Sequence, residues 1–227
     1  MDIRGHKLPP EPESYCNWCK MPTAKDEPCV RCAQIEEARK TQNAKMTVAL
    51  GGDKVFKEFT FDCFKPDNPI ARKALEQVCE ADPKKDNLYL YSSNAGTGKS
   101  HLTIAWVRYH AKEGELPRIV RARELFRSLR ACENARKEME YIKELAASRL
   151  LVLDDLGRYK ETEFTTQTLY DVIDERANRG GGGLAISSNL TLKEWVTRLG
   201  GPFVSSRLYS MCKIVSLEGE RDRRIRP

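Results

Sequence analysis

This 227-residue chain contains no apolar run near the roughly 18 residues that a membrane-crossing helix requires. Its opening stretch, MDIRGHKLPPEPE, has no apolar core, so a secretory signal is not expected. A cytoplasmic setting follows as the expectation, with thiols kept reduced. Neither an internal repeat nor a low-complexity tract is present, which sets repeat architectures aside. Extreme charge is also missing. A net charge of +6 permits contact with an acidic polymer without demanding it, and a uniformly solvated surface accounts for it equally well. Apolar residues make up 40% and charged residues 32%, ordinary for a soluble domain large enough to bury a core.

Cysteine, by contrast, is plentiful. Eight occur, and in a reducing compartment they call for a reading other than disulfides. Cys16, Cys19, Cys29 and Cys32 form two C-x-x-C pairs separated by nine residues. Two such pairs can converge as tetrahedral thiolate ligands, and Zn²⁺ is the ion that suits them. In so short and polar a segment the metal would supply much of the folding free energy. Four unrelated reduced cysteines are the plain alternative, and a redox dithiol lacks its usual βαβ context. Cys63, Cys79, Cys132 and Cys212 have no partner spacing and are expected to be buried as small apolar residues.

Along the chain, residues 1–14 are rich in proline and charge and read as disordered, and 15–34 hold the cysteine module. Residues 35–66 read as a linker helix followed by an arm, whose Phe56, Phe59, Phe61 and Phe64 precede Pro66. From 67 to 220 helices and strands alternate, which implies βαβ units and a parallel sheet covered on both faces. A basic tail, 221–227, follows.

The stretch YSSNAGTGKS, 91–100, lies between a predicted strand and a predicted helix. It fits G-x-x-x-x-G-K-[ST] except that Ser93 stands at the first glycine. Backbone amides of Asn94, Ala95, Gly96, Thr97, Gly98, Lys99, Ser100 and His101 would cradle phosphates at a helix N-terminus. Lys99 would reach the outer phosphates and Ser100 would place its hydroxyl on Mg²⁺. Ser93 sits where chain geometry matters more than phosphate contact, so the site is expected to survive. A second motif supports it. LLVLDD, 150–155, is an apolar strand running into two acids. Asp154 suits a role in holding Mg²⁺ and Asp155 a role in polarising the attacking water, with slow catalysis expected from its short reach. A helix N-cap with a spare surface acid would explain only one of the two. Asn189, ending a later strand, suits either orientation of that water or a turn. Arg207 suits either an arginine finger entering a neighbouring subunit or an ordinary surface position.

Taken in order, LYLYSSNAGTGKSHL, RLLVLDDLG, SSNL and SSRLYSMC resemble the AAA+ ATPases of the DnaC helicase-loader and IstB transposition-helper family over about residues 55–220. The resemblance implies an α/β fold, the AAA+ P-loop three-layer sandwich with a parallel five-stranded sheet. Lys99 and Ser100 match Walker A, Asp154 and Asp155 match Walker B, Asn189 matches sensor 1 and Arg207 the arginine-finger position. ATP and Mg²⁺ are the implied ligands. Two departures stand out. Ser93 replaces the usual glycine, and the domain is expected to be lidless, with Arg223 or Arg224 of the tail as loosely aligned substitutes for a sensor-2 arginine. The helices expected over 122–147 occupy the place of an initiator-specific insertion. There Arg123, Arg127, Arg130, Arg136, Lys137 and Lys143 interleave with Phe126 and Tyr141, and Tyr141 is the preferred base-stacking candidate. Five glutamates in the same stretch keep a solvated helical face equally open.

The expectation is therefore an ATPase that loads a replicative hexameric helicase, binds single-stranded DNA and self-associates through Arg207, with the zinc module recruiting the partner. The alternatives are a transposition helper acting on duplex DNA and a nucleotide-binding adaptor with little hydrolysis.

Overall fold

The computed structural model describes residues 59–111, 117–157, 159–160, 162–179, 182–198, 202–219 and 222, with two short strands nearer the N-terminus. The chain divides into two compact units, Met1–Lys45 and Met46–Pro227. In the first, β1 (Ser14–Tyr15) pairs antiparallel with β2 (Pro22–Thr23), with Ser14 opposite Thr23. The four candidate zinc ligands, the linker helix, Phe56, Arg223 and Arg224 lie outside the described residues.

The second unit is a sheet with helices on both sides. Its elements run α1 (Pro69–Cys79), β3 (Asn87–Tyr91), α2 (Lys99–His110), β4 (Arg118–Arg121), α3 (Ala122–Arg130) and α4 (Ala135–Ala147). They continue as β5 (Leu151–Leu156), α5 (Glu163–Asn178), β6 (Leu184–Ser188), α6 (Leu192–Arg198), α7 (Pro202–Met211) and β7 (Cys212–Ser216). Five strands lie in the order β4-β5-β6-β3-β7, and every pairing is parallel. Hairpins cannot make parallel neighbours, so each strand is reached through helices, and these cover both faces.

Alternation along the strands builds two cores. Leu88 and Leu90 of β3 face one side with Val152, Ala185 and Val215, where Ala71, Val78, Leu102 and Trp106 of α1 and α2 pack. Tyr89, Leu151, Leu153 and Ile186 face the other, against Leu125, Ile142, Leu169, Trp195 and Leu208. All of these are essentially removed from water, and each buried Val, Leu or Ile contributes on the order of 1.5–3 kcal/mol of transfer free energy. The aromatic arm joins the first of these cores. Phe64 is buried in it, with Phe59 and Phe61 packed alongside.

Several helices start with side-chain caps. Asn68 accepts from the Ala71 amide ahead of Pro69, Asn134 accepts from Lys137, and Thr162 and Thr165 form a reciprocal capping box. Helix α2 does not: its N-cap is Gly98, in the left-handed region at φ 100°, which has no side chain to offer. One expectation needs correcting. Cys63 and Cys79 are exposed and Cys132 is only partly buried, whereas Cys212 packs against a core cluster and burial pushes its thiol up to about 12. Three of these lie at a turn or a helix end (Cys63 in the arm's turn, Cys79 closing α1, Cys132 just past α3), where a small residue need not enter the core.

Candidate nucleotide-binding site

The C-terminal ends of β3, β5 and β6 lie side by side, the edge at which open parallel sheets take ligands. The loop after β3 carries Gly96 at φ 65° and Gly98 at φ 100°, both in the region that favours glycine. It delivers the N-terminal end of α2, a partial positive charge suited to phosphate. Lys99 is buried, and its ammonium donates to the Ser92 and Asn94 carbonyls at 3.1 and 2.8 Å and to Thr97 Oγ1 at 3.3 Å. Its charge is thus held inside the loop by weakly polar acceptors.

Ser93, the residue that breaks the glycine pattern, has a definite partner. Its amide donates to Glu218 Oε1 at 2.6 Å and its hydroxyl to Oε2 at 2.8 Å. Glu218 follows β7, and the neighbouring Leu217 amide donates to the Tyr91 carbonyl at 2.9 Å. The serine therefore anchors the start of the loop to the last strand. Nothing in the sequence pairs Glu218 with Ser93.

Asp154 lies near the end of β5 and is buried. It accepts a hydrogen bond of 2.6 Å from Ser100 Oγ and another from Ser187 Oγ. Burial pushes its carboxyl above the ordinary range. The Ser100 and Ser187 hydroxyls and the charge of Arg121 oppose that rise, while the charge of Asp155 adds to it. Arg121 lies directly across the ladder from Asp154. Asp155 is exposed and has φ 58°, and its amide donates to Ser187 Oγ at 2.9 Å. Asn189 follows β6 with its Oδ1 buried and without a hydrogen-bond partner. Gly157, at φ 99°, lets the chain pass it: a Cβ there would stand 2.5 Å from that oxygen.

Four predicted positions, Lys99, Ser100, Asp154 and Asp155, thus converge with Asn189 on one sheet edge. His101 is on the same helix, but its ring turns to the arm. It meets the Thr60 carbonyl at 2.7 Å, stacks on Phe59 at 4.8 Å and abuts Phe64, so any phosphate contact from this residue falls to its amide. Arg207, on α7, donates to Asp174 of α5 at 2.6 Å.

The residues suit magnesium triphosphate. An uncapped helix end offers donors, a buried ammonium offers charge, and a hydroxyl and a carboxylate in contact form an oxygen pair of the kind Mg²⁺ takes. Ser100 and Asp154 would hold the ion, which when bound would neutralise phosphate charge.

Beside Asp155 the surface turns basic. One cavity of about 400 Å³ is lined by Arg121, Arg123, Glu124, Arg127 and Asp155. A second, of about 650 Å³, shares Arg123 and Arg127 and adds Arg130, Lys160, Phe126 and Tyr159. Phe126 is a core residue, tilted against Tyr159 at 4.5 Å. Tyr141 packs against the core with the Arg118 guanidinium 5.9 Å over its ring. On α4, Arg136 and Lys137 are matched by Glu140 and Glu133 one turn away, an arrangement worth little in water. The basic character that faces a cavity therefore belongs to α3, not α4.

Comparison with known proteins adds the following. The family model described as "IstB-like ATP binding protein" matches residues 30–226. Protein YdaV of Escherichia coli (strain K12) is 26% identical over 175 residues, 75% of this chain and 70% of YdaV. The replicative helicase loader DnaC of the same organism is 22% identical over 193 residues, 81% of this chain and 77% of DnaC. A crystal structure of the DnaC helicase loader superposes with a TM-score of 0.61 at 24% identity, covering 72% of this chain and 98% of that one, which establishes likeness of fold.

Proposed function

Because the chain belongs to the IstB-like ATP-binding protein family, we propose that it is an ATPase of DNA replication that loads a replicative hexameric helicase. The observation that carries the ATP site is the contact between Ser100 and Asp154, which brings the glycine loop and the acid pair to one place. Lys99 leaves its carbonyl acceptors for the outer phosphates. Asp155, exposed at the strand end, takes a proton from the attacking water. Asn189, with an acceptor oxygen to offer, orients that water.

The helicase partner rests on the likeness to a replicative helicase loader. Single-stranded DNA is the further ligand of this reading. The cavity at α3, with three arginines and Lys160, has the charge to follow a phosphate backbone, and it lies beside Asp155, where DNA contact and hydrolysis can affect each other. Arg207 acts in a neighbouring subunit, leaving Asp174 when copies assemble. Cys16, Cys19, Cys29 and Cys32 hold one Zn²⁺ in a module that binds the partner, and metal analysis of the purified protein should return about one equivalent per chain.

The test is ATP turnover with and without single-stranded DNA, together with co-purification of candidate helicases. Turnover that rises with DNA and is lost in Lys99→Ala, with a helicase retained on the column, is the expected result. Unchanged binding and turnover in Lys99→Ala would remove the site. The family's own description names IstB, which keeps a transposition helper as the second reading; ATP-dependent filaments on duplex DNA with no helicase affinity would favour it.

A further inference from the structure

The two acids at the end of β5 are adjacent in sequence, yet one is buried and the other exposed, and the strand does not run regularly between them. Leu153 pairs with Ile186 and Leu156 with Ser188. Asp154 and Asp155 therefore stand opposite the single residue Ser187, a bulge in a parallel pair, where bulges are rare. Its effect shows in the cores. Leu151 and Leu153 face the α3–α7 side, and Leu156 faces that side too. Strict alternation would send Leu156 to the opposite face and drive the Asp155 carboxylate into the apolar cluster. The extra residue, with Asp155 at φ 58°, resets the phase and turns Asp155 outward.

A bulge leaves an amide outside the ladder, and that amide must find a partner. Here Ser187 supplies it: its hydroxyl oxygen accepts the Asp155 amide at 2.9 Å, while its proton goes to the Asp154 carboxylate. A hydroxyl can do both at once, having one donor and two acceptor sites. Ser187 is fully buried, so water has no ready route to replace it.

We propose that Ser187 is the positioning residue of the acid pair, its single hydroxyl fixing at once the direction of Asp154 toward Ser100 and the outward turn of Asp155. This rests on the reading of the site as one for magnesium and ATP. Ser187 touches neither ligand; it acts through the two aspartates.

The test compares Ser187→Ala, Ser187→Cys and Ser187→Thr in the full chain. Each is measured for ATP binding with and without Mg²⁺, for kcat and KM, and for melting temperature. The alanine and cysteine variants should bind ATP in EDTA within about twofold of the unaltered chain, because the glycine loop is untouched. Both should lose at least threefold of the affinity that Mg²⁺ adds, and at least tenfold in kcat. Threonine, which keeps the hydroxyl, should recover most of both. Alanine retaining Mg²⁺ dependence and kcat within twofold overturns the proposal. So does loss in alanine but not in cysteine, since that points to volume and not to hydrogen bonding. If alanine does not fold, cysteine, close to serine in shape, decides on the same readouts. An unaltered chain that binds ATP no better with Mg²⁺ than without overturns the proposed function itself, and this inference with it.

Discussion

Ser100 on α2 and Asp154 on β5, 54 residues apart in the chain, share a hydrogen bond of 2.6 Å. The bond matters because Asp154 is otherwise an unfavourable residue to bury. Among the described residues none forms an ion pair with it, and burial holds its carboxyl above the ordinary range against the opposing charge of Arg121.

The consequence for stability has a definite sign. A carboxyl whose folded pKa is raised binds its proton more tightly in the native state than in the unfolded one, so stability falls as pH climbs through that interval. The penalty builds as pH rises above the ordinary aspartate value. Asp154→Asn should therefore raise the melting temperature of the nucleotide-free protein at pH 7 by a few degrees. The gain should vanish below the ordinary aspartate value of about 4, and the added affinity from Mg²⁺ should be lost. Thermal melts at pH 7 and about pH 3.5 check the first two expectations, and ATP titrations with and without Mg²⁺ check the third.

Arg176 carries a different kind of burial. It is 1% exposed, and its guanidinium donates to the carbonyls of Ala146, Ser148, Arg149 and Gly182 at 3.0, 2.6, 3.1 and 2.9 Å. Burial pushes its pKa down to about 10, so it stays charged at neutral pH. These bonds tie the end of α4, the approach to β5 and the turn before β6 into one corner. Arg176→Ala should cost about 3–5 kcal/mol, since it strands several carbonyls at once. A urea midpoint shift with secondary structure intact in the folded baseline would register this, and a change under about 1 kcal/mol would count against it.

Ser93 and Glu218 make the third case. Restoring the pattern glycine, Ser93→Gly, should leave ATP affinity within about threefold, because this residue anchors the loop and does not cradle phosphate. It should lower stability by about 0.5–1.5 kcal/mol. Most of that cost should disappear in a Glu218→Ala background, which a double-mutant cycle measures directly. A large gain in ATP affinity from the glycine would show the anchor reading to be wrong.

Much of this was legible in the sequence, and the reasons are local. Strands and helices announce themselves by period, so the five parallel strands and the helices between them could be read from the alternation. The glycine loop and the acids are contiguous motifs, so Lys99, Ser100, Asp154 and Asp155 could be named. What escaped depends on register and distance. LLVLDDLG reads as one uninterrupted strand, and nothing in it signals a bulge at Asp154 and Asp155. Nothing in SSN marks Ser187 as a partner of both aspartates. Arg176 sits among charged residues on α5, with no local signal for burial. Glu218 meets Ser93 across 125 positions. The Arg118 guanidinium, 5.9 Å over the Tyr141 ring, is a neighbour that residue type alone does not reveal.

The bare beginning of α2 has a wider meaning. Where a serine or asparagine would ordinarily finish a helix, this one has Gly98, which brings no side chain to the cap. Such an end is completed by whatever anion arrives. In an ATP-binding family, nucleotide recognition and completion of this helix end would be a single event, and occupancy of the loop would add to how firmly the domain holds together.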